Sequence, residues 1–403
     1  MTSRMTAWRR IAPPCHRARR IARHRVTVFV DGKVGDATAS SSTPSVLVIG
    51  ASGRTGREIV RECSNRGLSV LAGTQNGQFD VKQLLGDDAV APTVVPWTIP
   101  LVQPVEVDVT RPETVENAVM GMMQWAPQAN EKNASSSQSD DASVTPSIHA
   151  QPTVVIFAAT ANAKGDPRSI DQEGLVNVAK ACIKNKVSRL VIISGAGVTQ
   201  KNENAPAYKF LNRFGGRMDA KQKGEVEVME VYMEAERVYR EEYEKTQQYD
   251  TNKPYNPPSV SYTIIRPSGL LDTPAKGPQF LSISQGDVLA GFISRKDVAV
   301  SAVEAGLDTT GLNNVSFEVY DSGTAVLAST LSVSQILSDE KLRTAAYVLS
   351  GEAFSQVLES TPLESSEGRQ TREASEQVLS QAIAKERKGS TYDELFHGLE
   401  RDE

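Results

Sequence analysis

The apolar run Val46-Leu47-Val48-Ile49 opens directly onto Gly50-Ala51-Ser52-Gly53-Arg54-Thr55-Gly56, and a helical pattern follows at once. Each glycine answers a geometric demand. Gly50 lets the chain turn sharply off the end of a strand. Gly53 leaves no side chain where a pyrophosphate meets the backbone. Gly56 lets the next helix pack close to the sheet. The helix start then offers free N–H groups and a partial positive charge, to which Ser52, Arg54 and Thr55 add their own donors. A second strand at Ser69–Gly73 completes a βαβ unit. That context separates the motif from a bare strand–helix turn and implies a site for a dinucleotide phosphate.

The chain has 403 residues and a formal charge of −5, enough for one large domain or two small ones and without the basic excess of a nucleic-acid surface. No apolar run reaches the about 20 residues that a membrane-spanning helix needs. The cysteines, Cys15, Cys63 and Cys182, show no metal-ligand spacing, and imply a reducing compartment rather than a disulfide framework. The histidines, His16, His24, His149 and His397, all lie outside the αβ pattern, which argues against a metal site or a histidine-based mechanism. The first thirty residues differ from the rest: eight arginines precede the first acid, Asp31. Such a leader reads as an organelle transit peptide, with a basic disordered leader or a mis-assigned start as the alternatives. Residues 1–44 are then transit peptide and linker.

From Ser45 strands and helices alternate. Strands are expected at Ser45–Ile49, Ser69–Gly73, Val105–Asp108, Val154–Phe157, Arg189–Ile193, Ser261–Ile265 and Ser316–Tyr320. Helices are expected at Thr55–Arg66, Arg111–Met123, Asp171–Asn185, Lys221–Lys245 and Asp297–Leu307. The long helix carries Val226, Met229, Tyr232/Met233 and Val238/Tyr239 as its apolar stripe. Residues 126–152, rich in Ser, Asn, Gln and Asp, read as a disordered insertion. Residues 331–403 read as a helical or partly disordered extension, with helices near Leu342–Leu358 and Arg372–Lys388. The fold class is α/β, a doubly wound parallel sheet spanning residues 45–330, followed by that extension.

With these segments placed, the chain resembles the atypical short-chain dehydrogenase/reductases, and more narrowly their NAD(P)H-binding, NmrA-like branch of plastids and cyanobacteria. The resemblance covers about Ser45 to Gly323. It rests on the glycine loop, on Val107-Asp108-Val109-Thr110, and on Ala158-Ala159-Thr160 after the fourth strand. It rests also on Ile192-Ile193-Ser194-Gly195-Ala196-Gly197, on Tyr262-Thr263-Ile264-Ile265-Arg266-Pro267-Ser268-Gly269-Leu270, on Gln285-Gly286-Asp287 and on Ile293–Ala299. It implies a Rossmann fold, Asp108 near the adenine, and Ala158, Ala159 and Thr160 along the cofactor. Lys221 or Lys223, in a segment similar to the branch's Lys-x-Lys-x-Glu helix, is implied at the nicotinamide ribose. Gly50, Asp108, Ala158, Ser194 and Pro267 all fall at or just past strand ends, where an open parallel sheet binds its ligands.

NAD sites commonly place an acid at the end of the second strand. Here that end reads Ala72-Gly73-Thr74-Gln75-Asn76, and Arg54 is suited to a 2′-phosphate, which favours NADP(H) over NAD(H). The family's usual catalytic pair is Tyr-x-x-x-Lys. This chain has Arg217 and Asp219 four residues before Lys221 and Lys223, and Tyr208 is the one remaining tyrosine candidate near the crevice. Ser194 matches the substrate-orienting serine, although Gly195 follows it. The expectation is a plastid, or alternatively mitochondrial, NADPH-dependent oxidoreductase that works without a tyrosine acid on an unidentified acceptor. The alternative is a non-catalytic nucleotide-binding protein that senses redox state or scaffolds an assembly, with a protein partner held through the insertion or the extension.

Overall fold

The computed structural model describes residues 44–85, 102–125, 153–162, 165–213, 215–247, 260–308, 311–330 and 366–402. The leader, the 126–152 insertion and the helix expected at Leu342–Leu358 lie outside the described residues. The chain runs β1 (Ser45–Ile49), α1 (Arg54–Asn65), β2 (Ser69–Thr74), α2 (Val81–Leu85), β3 (Val102–Glu106), α3 (Pro112–Trp125) and β4 (Thr153–Phe157). A π-helical turn, Arg168–Gly174, leads into α4 (Leu175–Lys184), then β5 (Arg189–Ile193), α5 (Pro206–Asn212), α6 (Arg217–Gln247) and β6 (Ser261–Pro267). Short strands follow: β7 (Gly269–Leu271), β8 (Leu281–Ser284), β9 (Leu289–Ala290) and β10 (Phe292–Ser294). Then come α7 (Arg295–Leu307), β11 (Val315–Asp321), β12 (Val326–Leu327), α8 (Ser366–Ile383) and α9 (Tyr392–Phe396).

The main sheet has eight strands in the order β3-β2-β1-β4-β5-β6-β11-β8. All neighbours are parallel except β8, which runs antiparallel to β11. β1, β4, β5 and β6 are buried at every position, as strands covered on both faces must be. One face packs α1, α7 and α9 through Ile59, Val60, Val298, Ala302 and Leu395. The other packs α3, α4 and α6 through Val115, Val119, Leu175, Val178, Val228 and Tyr232. Strand order reverses between β1 and β4, the kind of switch point beyond which open parallel sheets bind their ligands.

The expected doubly wound sheet is present, with local corrections. The third strand lies at Val102–Glu106 rather than Val105–Asp108, on the sheet edge. The helix expected from Asp171 opens instead as the π-helical turn. Strands β7 to β10 lie in a stretch where the sequence shows no clear period. The stripe of α6 is also displaced. Of the expected stripe, Tyr232 is buried and Met229 packs on the same core, but Val226, Met233 and Val238 are 47%, 47% and 41% exposed, while Gly224, Glu225 and Val228 are buried. A glycine and an acid therefore belong to the buried face beside the expected apolar residues, each for a specific contact.

The acid belongs to a buried charge group. The Arg266 guanidinium donates to Glu225 on α6, with Nη2 2.9 Å from Oε2, and to Glu318 on β11, with Nη1 3.2 Å from Oε1. Ser284 Oγ donates to Glu318 Oε2 at 3.0 Å. Burial and the nearby Asp287 push the Glu318 carboxyl up to about 7, against the pull of Arg266 and Ser284.

The last residues of the chain are part of this core. Arg387 exchanges backbone hydrogen bonds with Ile283 at 2.8 and 3.0 Å, which covers the free edge of β8. Tyr392, Leu395 and Phe396 enter the α1/α7 side of the core, and the Phe396 ring lies 5.5 Å from that of Phe317. Asp402 accepts from Tyr262 Oη at 3.1 Å and from Ser316 Oγ at 2.6 Å.

Two outcomes follow for stability. Leu395 is fully buried, so Leu395→Ala should cost roughly 2–5 kcal/mol by urea unfolding. A cost below about 0.5 kcal/mol would detach the C-terminal segment from the core. The second concerns pH. A carboxyl raised from 4.5 to about 7 on folding favours the folded state fully below pH 4.5 and loses that contribution as pH rises through about 7. Glu318→Gln mimics the neutral form. Its stability relative to wild type should therefore rise across that window, by about 1–3 kcal/mol in total. A difference that stays flat with pH would remove Glu318 as the titrating group.

Candidate functional site

The turn after β1 is built by backbone. Gly50 has φ +84° and sits so close to the end of β4 that a Cβ there would lie 2.6 Å from Ala159 N. Gly50 N and Ala51 N both donate to Gly73 O at 3.0 Å, which ties the turn to β2. A Cβ on Gly56 would stand 2.1 Å from Gly50 O, so only glycine lets α1 start this near the strand ends. Gly53 is different. Its backbone is extended (φ −69°, ψ 160°), and a Cβ there would meet only Gly50 O, at 3.2 Å. Gly53 is the N-cap of α1, no side chain caps the helix, and its first turn holds no acid. The leading N–H groups of α1 thus face a space that an anion can fill.

On the side of β2, Gln75 Nε2 donates to Asp108 Oδ2 at 3.3 Å, and Thr110 N and Oγ1 donate to Asp108 Oδ1 at 3.1 and 2.7 Å. Burial opposes the charge on Asp108, but the bonds from Thr110 and Gln75, with Arg111 beside them, hold its carboxyl below the usual range. Gln75 and Asn76 are exposed and no acid stands among Thr74–Asn76. Arg54 is not brought to this end. Its Nη1 lies 3.5 Å from Asp272 Oδ2, past β7, and both side chains are largely exposed. Arg295 pairs with the same carboxylate.

On the other side, Ala158 N donates to Ile49 O at 2.9 Å, so the segment Ala158-Ala159-Thr160 runs along the glycine turn. Ser194 N donates to Ile265 O at 2.9 Å, and its Oγ is buried without a partner. Pro267 O accepts from Ala196 N at 3.0 Å. Gly50, Ala158, Ser194 and Pro267 therefore all stand at or just past the ends of the neighbouring parallel strands β1, β4, β5 and β6, and Asp108 lies just past the end of β3. The two candidate lysines separate. Lys223 is exposed. Lys221 is largely buried, with Nζ 2.9 Å from Asp171 Oδ1.

Three features were missed by sequence reasoning. Asp171, buried in the π-helical turn, also accepts from Thr160 Oγ1 at 2.7 Å and from Ala161 N at 2.9 Å. Asp287, at φ +56°, accepts from Gly197 N at 2.6 Å and Thr199 N at 2.7 Å, and so shapes the loop after β5. Arg266 sits directly across the sheet from Glu318. Tyr208, by contrast, donates its phenol to Asp219 Oδ1 at 2.6 Å, and burial together with that bond drives its pKa well up. It is held away from the role of an acid working near neutrality.

Residues 123–308 match a family model described as NAD(P)H-binding. The match bears out the expected likeness to NAD(P)H-binding proteins, although the glycine loop lies before the matched segment. An uncharacterized chloroplastic protein of Arabidopsis thaliana is 28% identical over 274 residues, which is 67% of this chain and 75% of that protein. Among solved structures, an oxidoreductase of Lactococcus lactis is 16% identical, with a TM-score of 0.44, over 74% of this chain and 97% of that one. An anaerobilin reductase of Escherichia coli O157:H7 is 16% identical, with a TM-score of 0.43, over 69% of this chain and 97% of that one.

The contrast between the loop glycines is testable. Gly53→Val keeps an allowed backbone and meets one loop carbonyl, so the fold should survive with a loss of about 1 kcal/mol. Dinucleotide affinity should fall by about 100-fold or more, because the branched side chain fills the space before the α1 donors. Gly56→Ala should instead destabilise the fold itself. Calorimetric titration and thermal unfolding of both variants separate the outcomes. Wild-type affinity in Gly53→Val would make the loop purely structural.

Proposed function

We propose that this chain, which carries an NAD(P)H-binding domain, is an NADPH-dependent oxidoreductase that passes hydride to an acceptor without a tyrosine acid. The carrying observation is the uncapped start of α1 at the switch point of the sheet, facing Gly53 and bordered by Ala158-Ala159. When bound there, the dinucleotide supplies the hydride. The α1 N–H groups and Ser52, Gly53 and Thr55 hold its pyrophosphate. Ala159 and Thr160 border its path toward Lys221, whose ammonium donates to ribose hydroxyls. Ser194 Oγ, unpartnered in the protein, orients the acceptor. The proton comes from solvent, since the Tyr208 phenol is committed to Asp219.

The preference for NADP(H) is supported by the absence of an acid among Thr74–Asn76 themselves, although the Asp108 carboxylate lies 3.3 Å from Gln75 Nε2. Arg54 supports it less directly, because its partner is Asp272. A plastid location is supported by the arginine-rich leader and by the chloroplastic relative, which weighs against the mitochondrial alternative. The committed Tyr208 phenol suits a second reading as well, a non-catalytic redox sensor or scaffold that binds the cofactor and does not turn it over.

Titration calorimetry of the purified chain should show NADPH binding at least about tenfold tighter than NADH, the scale of one added charge-assisted contact. Equal affinities remove the NADP preference, and no binding of either removes the proposal. NADPH oxidation should then appear with a flavin, quinone or tetrapyrrole acceptor. Tight binding without turnover on any of them selects the sensor.

A further inference from the structure

The pairing of Lys221 with Asp171 has a construction that a surface ion pair lacks. The Asp171 side chain is fully buried. Its Oδ1 takes both Thr160 Oγ1 and Lys221 Nζ, at 2.7 and 2.9 Å, and its Oδ2 takes Ala161 N at 2.9 Å. One carboxylate thus joins the loop after β4 to the first turns of α6. Two further features hold that junction. Gly224, on α6, approaches so closely that a Cβ there would lie 2.4 Å from Asp171 O. Gln172 Nε2 donates to Glu227 Oε1 at 2.6 Å.

The local backbone is built for this. The π-helical turn Arg168–Gly174 departs from the regular α4 that follows it, and an extra residue in a helical turn re-aims the side chains around it. The aspartate is turned inward, under a segment that runs along the glycine turn. A buried ion pair is a poor way to join two helices, because apolar residues of the same volume do it at least as well. What a carboxylate adds is direction. It fixes the ammonium of Lys221 and the hydroxyl of Thr160 at one place, and Thr160 is itself exposed just past the end of β4.

On the function reading above, we infer that Asp171 is the positioning residue of the site: it anchors Lys221 so that the remaining ammonium donors meet the hydroxyls of the nicotinamide ribose. Asp171 touches no cofactor atom and acts through the lysine. Asp171→Asn keeps the shape and an acceptor for Ala161 N while removing the counter-charge that holds Lys221.

The test is a double-mutant cycle on the full chain, read by NADPH calorimetry in wild type, Lys221→Ala, Asp171→Asn and the double variant. Each single variant should bind NADPH about tenfold more weakly, and the double variant no more weakly than Lys221→Ala. A merely structural aspartate gives a different result: Asp171→Asn then costs as much in the Lys221→Ala background as in wild type. That additive outcome overturns the inference, as does unchanged affinity in Asp171→Asn. If circular dichroism shows that Asp171→Asn does not fold, the crystal structure of the wild-type chain with NADPH decides. Lys221 Nζ in contact with both Asp171 and the ribose supports the anchor, and a lysine turned from the ribose overturns it. Absence of NADPH binding by the wild type defeats the function reading and this inference together, whereas intact wild-type binding with an additive cycle defeats this inference alone.

Discussion

The mouth of the sheet depends on backbone meeting backbone where no side chain fits. A Cβ at Gly56 would lie 2.1 Å from Gly50 O, and one at Gly50 would lie 2.6 Å from Ala159 N. These approaches draw α1, the end of β1 and the end of β4 together at the point where strand order reverses. The Gly50 and Ala51 N–H groups are spent on Gly73 O. The donors left pointing outward are those at the start of α1, and that start carries no capping side chain to satisfy them. A phosphate completes what the fold leaves incomplete. Gly53 has no comparable steric duty, since a Cβ there would meet only Gly50 O at 3.2 Å, and the proposed phosphate contact is what accounts for it.

The other half of the crevice is fixed by polar anchors. In the segment Tyr262–Pro267, Tyr262 Oη donates to Asp402 and Thr263 Oγ1 donates to Leu312 O at 2.7 Å. Arg266 reaches across to Glu225 and Glu318, and Pro267 O accepts from Ala196 N. The segment that most strongly suggests the family is thus a set of structural fastenings rather than a set of reacting groups. Its arginine holds α6 to the sheet one helical turn after Lys221. Asp287 holds the loop after β5 from the opposite side. Ser194 and Lys221 are therefore placed by neighbours on different strands and helices, none of them adjacent in sequence.

What the sequence made legible follows from this division. The glycine turn and the buried strands β1, β4, β5 and β6 are local, and continuous apolar runs ending in glycine announce them. The face of α6 was misread because its buried positions include Gly224 and Glu225. Gly224 faces the π-helical turn and lets Asp171 O approach, and Glu225 meets Arg266 of the sheet. Neither reads as apolar, so the apolar periodicity finds Met229 and Tyr232, which pack on the core, but also takes in Val226 and Met233, which are exposed. The short strands β7 to β10 are set by pairing with distant partners, such as β10 on β7 and β8 on β11, and have too few residues to show a period. Asp171 could be found only once the π-helical turn was known to aim it inward. The strand-end residues Ala158 and Ser194 were legible for the converse reason: each directly follows a strong apolar run.

The character of the crevice bears on which acceptors suit it. Reducing an isolated carbonyl leaves an alkoxide, which needs a proton at one oxygen as it forms, and hence an acid placed there with a pKa near the working pH. The tyrosines that border this core do not offer one. Tyr208 is bound to Asp219, and burial raises Tyr232 and Tyr262 as well. The groups that the proposed function assigns to the site are instead a lysine paired with a buried carboxylate and a serine hydroxyl without a protein partner. Such a set binds and orients, and it stabilises negative charge without having to deliver a proton at the moment of transfer. An acceptor that spreads the incoming charge over a conjugated system, as a flavin, quinone or tetrapyrrole does, can take its proton from water afterwards. On the proposed reading, the same arrangement suits a conjugated acceptor better than an ordinary alcohol or ketone, so the commitment of Tyr208 to Asp219 bears on the choice of substrate before it argues against catalysis.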